Sequence, residues 1–297
     1  MLLGTVVDMN PTPEPVHDQP PVRTLRASTP DDIAAFVPLA LGFVPARSVV
    51  MISVGTSGLH ARVDLPHDPD DVDDVVEALL RPARRHRVAA VLFVVYDDDT
   101  TVADEAVWAL REAFEDAGIT VKEALRIHDD HWYAVLPGAP LAAYQGVRFE
   151  RIDHRFTAQG VFDGRVTHAS REALRDTLLP DPAAVAVIRS LLDAADEVPL
   201  GGLRDLVQGH LTTATTFSDA ELAAVAVTVT SGPRRDEVWA WLAGDGALAW
   251  CAVDRSRDAE PRHSLAHLVA GLLESATSPA AWETLRPQLD GATDPAA

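Results

Sequence analysis

Three consecutive carboxylates, Asp97-Asp98-Asp99, follow directly on the apolar run Val88 to Tyr96. Open α/β sheets bind ligands beyond the carboxyl ends of their strands, and paired carboxylates suit a hard cation such as Mg²⁺ or a phosphate-linked ligand held through one. The plainer reading is a solvated acidic loop entering the next helix, because Asp104 and Glu105 continue the acidic pattern. Arg62 and Asp64 lie two apart and therefore share one face of a strand. With Ser48 from a neighbouring strand they could hold a substrate carboxylate or a metal. An ion pair tying the strand to the following helix explains the same spacing and is favoured. Ser48, Arg62, Asp64 and Asp97 are thus the candidate catalytic residues, and Asp97 and Asp98 the candidate metal ligands.

Other chemistry-bearing residues read more simply. His128-Asp129-Asp130-His131 has a composition a metal would accept, yet two acids between strands are ordinary turn chemistry. His263 and His267 are spaced i, i+4 without the glutamate of a zinc protease, which leaves a surface pair. Cys251, the only cysteine, lies in the apolar stretch 247–253 and reads as a buried, inert thiol. The chain has no GxxxxGK[ST], no GxGxxG and no GxSxG. Gly244-Asp245-Gly246 is only a G-x-G, read as a helix corner capped by Asp245. No cofactor is expected.

The elements that must position these residues are legible from pattern. Ser28-Thr29-Pro30-Asp31-Asp32 starts a helix with a hydroxyl cap, an early proline and acids facing the dipole, and Gly42 ends it. Ser48 to Val54 reads as a buried strand, and Leu59 to Leu65 returns as its hairpin partner after a turn at Gly55–Gly58. A helix runs from the acids 68–74 to about His86. Val88 to Tyr96 is a central strand buried on both faces. A helix over about 102–117 follows, closed by Gly118. Strands over 119–127 and 132–136 flank the His128–His131 turn. The stretch 150–170 has no clear pattern, and a helix starts at Ser170 and ends by Leu179.

After Pro180-Asp181-Pro182 no strand pattern recurs. Segments 182–196, 202–214, 218–230, 234–257 and 263–276 are Ala/Leu-rich with helical spacing. The expectation is an α/β protein: a disordered proline-rich tail over 1–22, a layered domain with a mixed sheet over 23–180, and an all-α domain over 181–297.

Composition bounds the partners. The 297 residues carry 25 basic and 45 acidic side chains, a formal charge of −20, and Lys122 is the only lysine. Such a surface repels phosphate backbones, so no nucleic-acid partner is expected, although Arg81–Arg87 and Arg148–Arg155 form local basic patches. The longest apolar run falls far short of the ~20 residues of a membrane helix, and the N-terminus lacks the basic start of a secretory signal. No membrane association is expected, and a cytoplasmic location is.

Leu41-Gly42-Phe43-Val44-Pro45-Ala46-Arg47-Ser48, Arg62-Val63-Asp64-Leu65-Pro66 and Gly244-Asp245-Gly246-Ala247-Leu248-Ala249, followed by Ala252-Val253-Asp254-Arg255, occur in that order. Together with Ser264-Leu265-Ala266 and Trp282 they resemble the motifs of an actinobacterial family, domain of unknown function 4192, over about residues 25 to 285. The resemblance implies a cytoplasmic protein and supplies no established activity. Typical members carry cysteines after the region matching Trp132, and this chain has none there, so no role of those cysteines carries over.

The sequence therefore leads to a non-catalytic protein whose α/β domain binds a small molecule or a protein partner, with the helical domain mediating assembly. The alternative is a Mg²⁺- or Mn²⁺-assisted hydrolase using Asp64, Asp97 and Asp98. Whether the protein is an enzyme stays open at this stage.

Overall fold

Thr29 caps helix α1 (Pro30–Leu41) with its side chain accepting from the Asp32 N–H, while the Asp32 carboxylate accepts in return from the Thr29 N–H. This reciprocal box satisfies donors that a helix start leaves free. Gly42 closes the helix at φ 75°, a left-handed conformation that glycine adopts without a Cβ clash. The computed structural model containing these elements describes residues 27–55, 59–196, 198, 200–213, 215–230, 246–259, 261–262 and 264–281. The expected tail over 1–22, part of the turn before Leu59, the 244–245 corner, residues 234–245 of the fourth helical segment, His263 and Trp282 lie outside the described residues.

Six strands form one sheet: β1 (Ser48–Ser53), β2 (His60–Asp64), β3 (Ala90–Tyr96), β4 (Thr120–His128), β5 (His131–Ala134) and β6 (Val147–Arg148). Their order is β2-β1-β3-β4-β5-β6. Only β3 and β4 pair in parallel; the other four pairings are antiparallel. The sheet is mixed, as expected, and the parallel pair is bridged by α3 (Thr100–Asp116), the crossover that parallel strands require.

Of the inner strands, β1 and β3 are buried along their whole length. Alternate residues serve two cores. Val49, Met51, Val91, Phe93 and Val95 pack with α2 (Val72–Arg85) and α3 on one face. Val50, Ile52, Leu92, Val94 and Tyr96 pack on the other with α1, with Ala143 of α4 (Leu141–Gln145) and with Phe156 of α5 (Arg155–Phe162). Complete burial of a large aliphatic side chain contributes about 1.5–3 kcal/mol, so these two strands anchor the three layers. The stretch 150–170, which has no clear sequence pattern, supplies α5 and a bridge from His168 to Phe43.

By its contacts the chain divides into two units, 1–174 with 274–276, and 175–273 with 277–297. Helix α6 (Arg171–Asp176) spans the end of the first. The second holds α7 (Pro182–Leu191), α8 (Leu200–Thr213), α9 (Asp219–Thr230), α10 (Gly246–Ala259) and α11 (Ser264–Glu274). Among its described residues there is no strand. Val225 to Val229 is helical despite its β-branched character, behind a start at which Ser218 and Glu221 exchange hydrogen bonds. Ala249 and Val253 of α10 pack with Val269 and Ala270 of α11, and Cys251 is buried and in no disulfide.

Candidate functional site

One register row crosses all six strands: Asp64, Ser48, Tyr96, Ile127, Trp132 and Val147. It lies at the carboxyl ends of the parallel pair. Beyond it the chain leaves β3 through Asp97-Asp98-Asp99 and leaves β4 through the turn at Asp129-Asp130. A pocket of about 490 Å³ opens there. Its walls are α1 at Ala34 and Pro38, the 44–47 segment, the 96–98 and 127–130 segments, and the stretch 148–152 after β6. A ligand crevice at the carboxyl ends of strands is the site that open α/β sheets favour.

Asp97 and Asp98 line this pocket; Ser48, Arg62 and Asp64 do not. The Asp97 side chain is wholly buried. Its Oδ1 accepts from the Asp99 N–H at 3.1 Å, and its Oδ2 is buried with no hydrogen-bond partner among the described residues. Asp98 is exposed. Asp99 uses its carboxylate on the Thr101 and Val102 N–H groups as the cap of α3. Arg62 pairs with Asp64 at 2.5 Å and lies over the Phe43 ring, so the ion pair joins two residues of β2 and does not reach the following helix. Ser48 is buried between β2 and β3, its hydroxyl without a partner among the described residues.

The remaining charges of the pocket are mostly committed. Arg148 donates to Asp130 at 2.7 Å and lies 3.6 Å from Glu150; this contact holds the Asp130 carboxyl down and the Arg148 guanidinium up from their ordinary values. His131 bonds the same Asp130 at 2.7 Å, and His128 lies 3.4 Å from Asp129. The His128–His131 segment is a tight hairpin turn, with His128 and His131 as the closing pair. Among the described residues no group of three or more His, Cys, Asp or Glu is placed to hold a metal ion.

Pattern reading did not single out several residues of this region. Tyr96 has a buried hydroxyl without a partner among the described residues, and burial pushes its ionisation well above the ordinary phenol value. Arg151 lines the pocket with no ion pair among the described residues. Arg47 sits at φ 42°, donates to the Pro66 carbonyl at 3.3 Å, and stands 3.9 Å from Asp97. Arg126, buried on β4, donates to the Asp97 carbonyl at 3.2 Å and stacks 4.1 Å from the Tyr133 ring centre, which fixes where the acidic segment leaves the sheet.

Asp32 clamps two walls together. It accepts from Arg155 at 2.8 Å and lies 3.2 Å from His154 Nε2, so α1 is tied to the segment that follows the 148–152 wall. Burial opposes its ionisation, yet the Ser28 N–H and Arg155 outweigh that and hold its carboxyl near a pKa of about 2. His154 Nδ1 accepts from the Phe156 N–H, so both ring nitrogens are occupied. The acids at 31–32 signal a helix start; nothing local signals their partners 123 residues away.

A family model described as Domain of unknown function (DUF4192) matches residues 30–243 and 238–280. No curated protein and no solved structure matches the chain.

Proposed function

This chain belongs to the DUF4192 family, and from that premise we propose that its α/β unit is a non-catalytic module binding a small polar molecule in the pocket beyond β3 and β4. The observation that carries this reading is a pocket about 490 Å³ in volume lined by two residues, Tyr96 and Asp97, whose buried polar atoms have no partner among the described residues. Leaving such an atom unserved costs about 1–3 kcal/mol, and a bound molecule that serves it recovers that cost. The hydrolase alternative has less support: Asp64 is engaged with Arg62 and does not line the pocket, which leaves two carboxylates in place of three.

A thermal-shift screen of sugars, nucleosides, organic acids, amino acids, phosphates and divalent cations at millimolar concentration tests the proposal. Binding at a hundredfold excess over Kd stabilises by about 2.7 kcal/mol, well above detection. A compound that raises the Tm of the native chain, but not of Arg151→Ala, supports it. No shift with any class rejects it. A Mg²⁺ or Mn²⁺ shift accompanied by phosphoester hydrolysis, both lost in Asp97→Asn, would favour the hydrolase.

The helical unit belongs to the same proposal as an assembly surface. Helix α7 buries none of its residues, and Val185, Val187 and Leu222 of α9 are exposed. Light scattering should then give a mass above the 31.9 kDa of one chain; a monomer at every concentration rejects this part. We also infer a cytoplasmic location and no nucleic-acid partner. Among the described residues no helix is long and apolar enough to cross a membrane, and the charge of −20 disfavours phosphate backbones. Cell fractionation and a low-salt DNA retardation assay check these two points.

A further inference from the structure

We propose that the molecule bound in this pocket is a zwitterionic amino acid with an apolar side chain, its ammonium group on Asp97 and Asp98 and its carboxylate on Arg151 and the Tyr96 hydroxyl. The inference rests on the ligand-binding reading above and names its ligand class.

The acidic end lacks a donor. Asp97 Oδ2 is buried with no hydrogen-bond partner among the described residues. Arg47 does not supply that donor: its nearest approach is 3.9 Å, to Oδ1, and its guanidinium already bonds the Pro66 carbonyl. Asp98 adds a second, exposed carboxylate beside it. A primary ammonium carries three donors and a full positive charge, which suits two adjacent carboxylates.

The other end lacks an acceptor. Arg148 is committed to Asp130 and Glu150, so Arg151 is the guanidinium of that wall without an acidic partner among the described residues. Tyr96 lines the same pocket, its hydroxyl has no partner among the described residues, and burial keeps it protonated and therefore a donor. A carboxylate accepts from both.

Charge and size narrow the choice further. The lining holds five carboxylates against three guanidinium groups, so a simple anion is repelled while a neutral zwitterion is not. The volume of about 490 Å³ lies within the range of small-molecule sites, and Ala34, Pro38, Val44 and Ile127 give an apolar wall for a side chain. The Tyr96 hydroxyl and Asp97 Oδ2 are buried without a hydrogen-bond partner among the described residues, and both residues line the pocket.

Calorimetric titration of the full chain with leucine, valine, methionine and phenylalanine tests the assignment. Each is paired with its amide, which lacks the carboxylate, and its N-acetyl form, which lacks the ammonium. At least one amino acid should bind, with both derivatives weaker by about tenfold or more, because each loses a charged hydrogen bond. Tyr96→Phe should weaken binding severalfold while leaving the Tm of the free protein unchanged or raised, since it removes only an unserved hydroxyl. Asp97→Asn and Arg151→Ala should weaken it at least as much. An amide or N-acetyl form that binds as tightly overturns the assignment, as does unchanged affinity in Tyr96→Phe. If no amino acid binds but acetate, inorganic phosphate, an alkylamine or Mg²⁺ does, the zwitterion is wrong and the pocket reading survives. If nothing binds, ordered water serves the two atoms and the assignment fails.

Discussion

Replacing Asp32 by Asn removes one charge from the junction between α1 and the 154–155 segment and leaves the shape of the side chain. The expected cost follows from proton linkage. The folded carboxyl ionises near about 2 against an ordinary value of 3.8, and at about 1.4 kcal/mol per pH unit that gap corresponds to roughly 2 kcal/mol. A depressed folded pKa contributes stability that is fully present above 3.8 and is lost as the pH falls through about 2. Asn cannot titrate, so Asp32→Asn should be about 2 kcal/mol less stable than the native chain at pH 7, a Tm loss of about 4–8 °C for a unit of this size. The difference should shrink between pH 4 and pH 2 and vanish below that. Urea unfolding at a series of pH values, followed by hydrogen exchange of peptides from β1 and β3, isolates the transition of the α/β unit. Equal stability at pH 7, or a gap that persists undiminished at pH 2, refutes the reasoning.

Three further outcomes follow from neighbouring contacts. His60 is held near a pKa of about 4 by burial, below its ordinary 6.5, and its Nδ1 has no partner among the described residues. Stability from its neutral form is present above 6.5 and lost as the pH falls to about 4, by up to about 3 kcal/mol, and His60→Leu should remove that loss in acid titrations of stability. Gly146→Ala should cost about 2–3 kcal/mol in urea unfolding, since φ is +101° and a Cβ would stand 2.5 Å from the Tyr133 ring; no loss would show that the ring moves freely. Arg126→Ala should cost about 2–4 kcal/mol by removing the bond to the Asp97 carbonyl and the stacking on Tyr133. Faster amide exchange at 97–99 in that variant is the accompanying sign.

The limits of pattern reading show at particular residues. Alternation and burial made β1, β2 and β3 readable, and the Thr29 and Gly42 caps bounded α1. The short β6 and the helices α4 and α5 were not anticipated, because segments of a few residues carry too few positions for a period to emerge. Of the four candidate catalytic residues, Asp97 lines the pocket while Ser48, Arg62 and Asp64 sit beside it, although Ser48 and Asp64 share its register row. A strand's own pattern says which residues share a face. It does not say which strand lies alongside or what covers its end.

The sequence by itself therefore determined the longer elements of the α/β unit, the three acids after the central strand, the absence of familiar nucleotide-binding and hydrolase motifs, and the membership of a family. Those depend on local chemistry: side-chain period, capping, and turn residues within a few positions of one another. Tertiary structure alone decided that β4 lies parallel to β3, that residues 148–152 face Asp97, and that Arg155 reaches Asp32. These juxtapositions join segments 29 to 123 residues apart. They are set by how the two cores pack across the sheet, a balance of many long-range burials that no single stretch of the chain encodes.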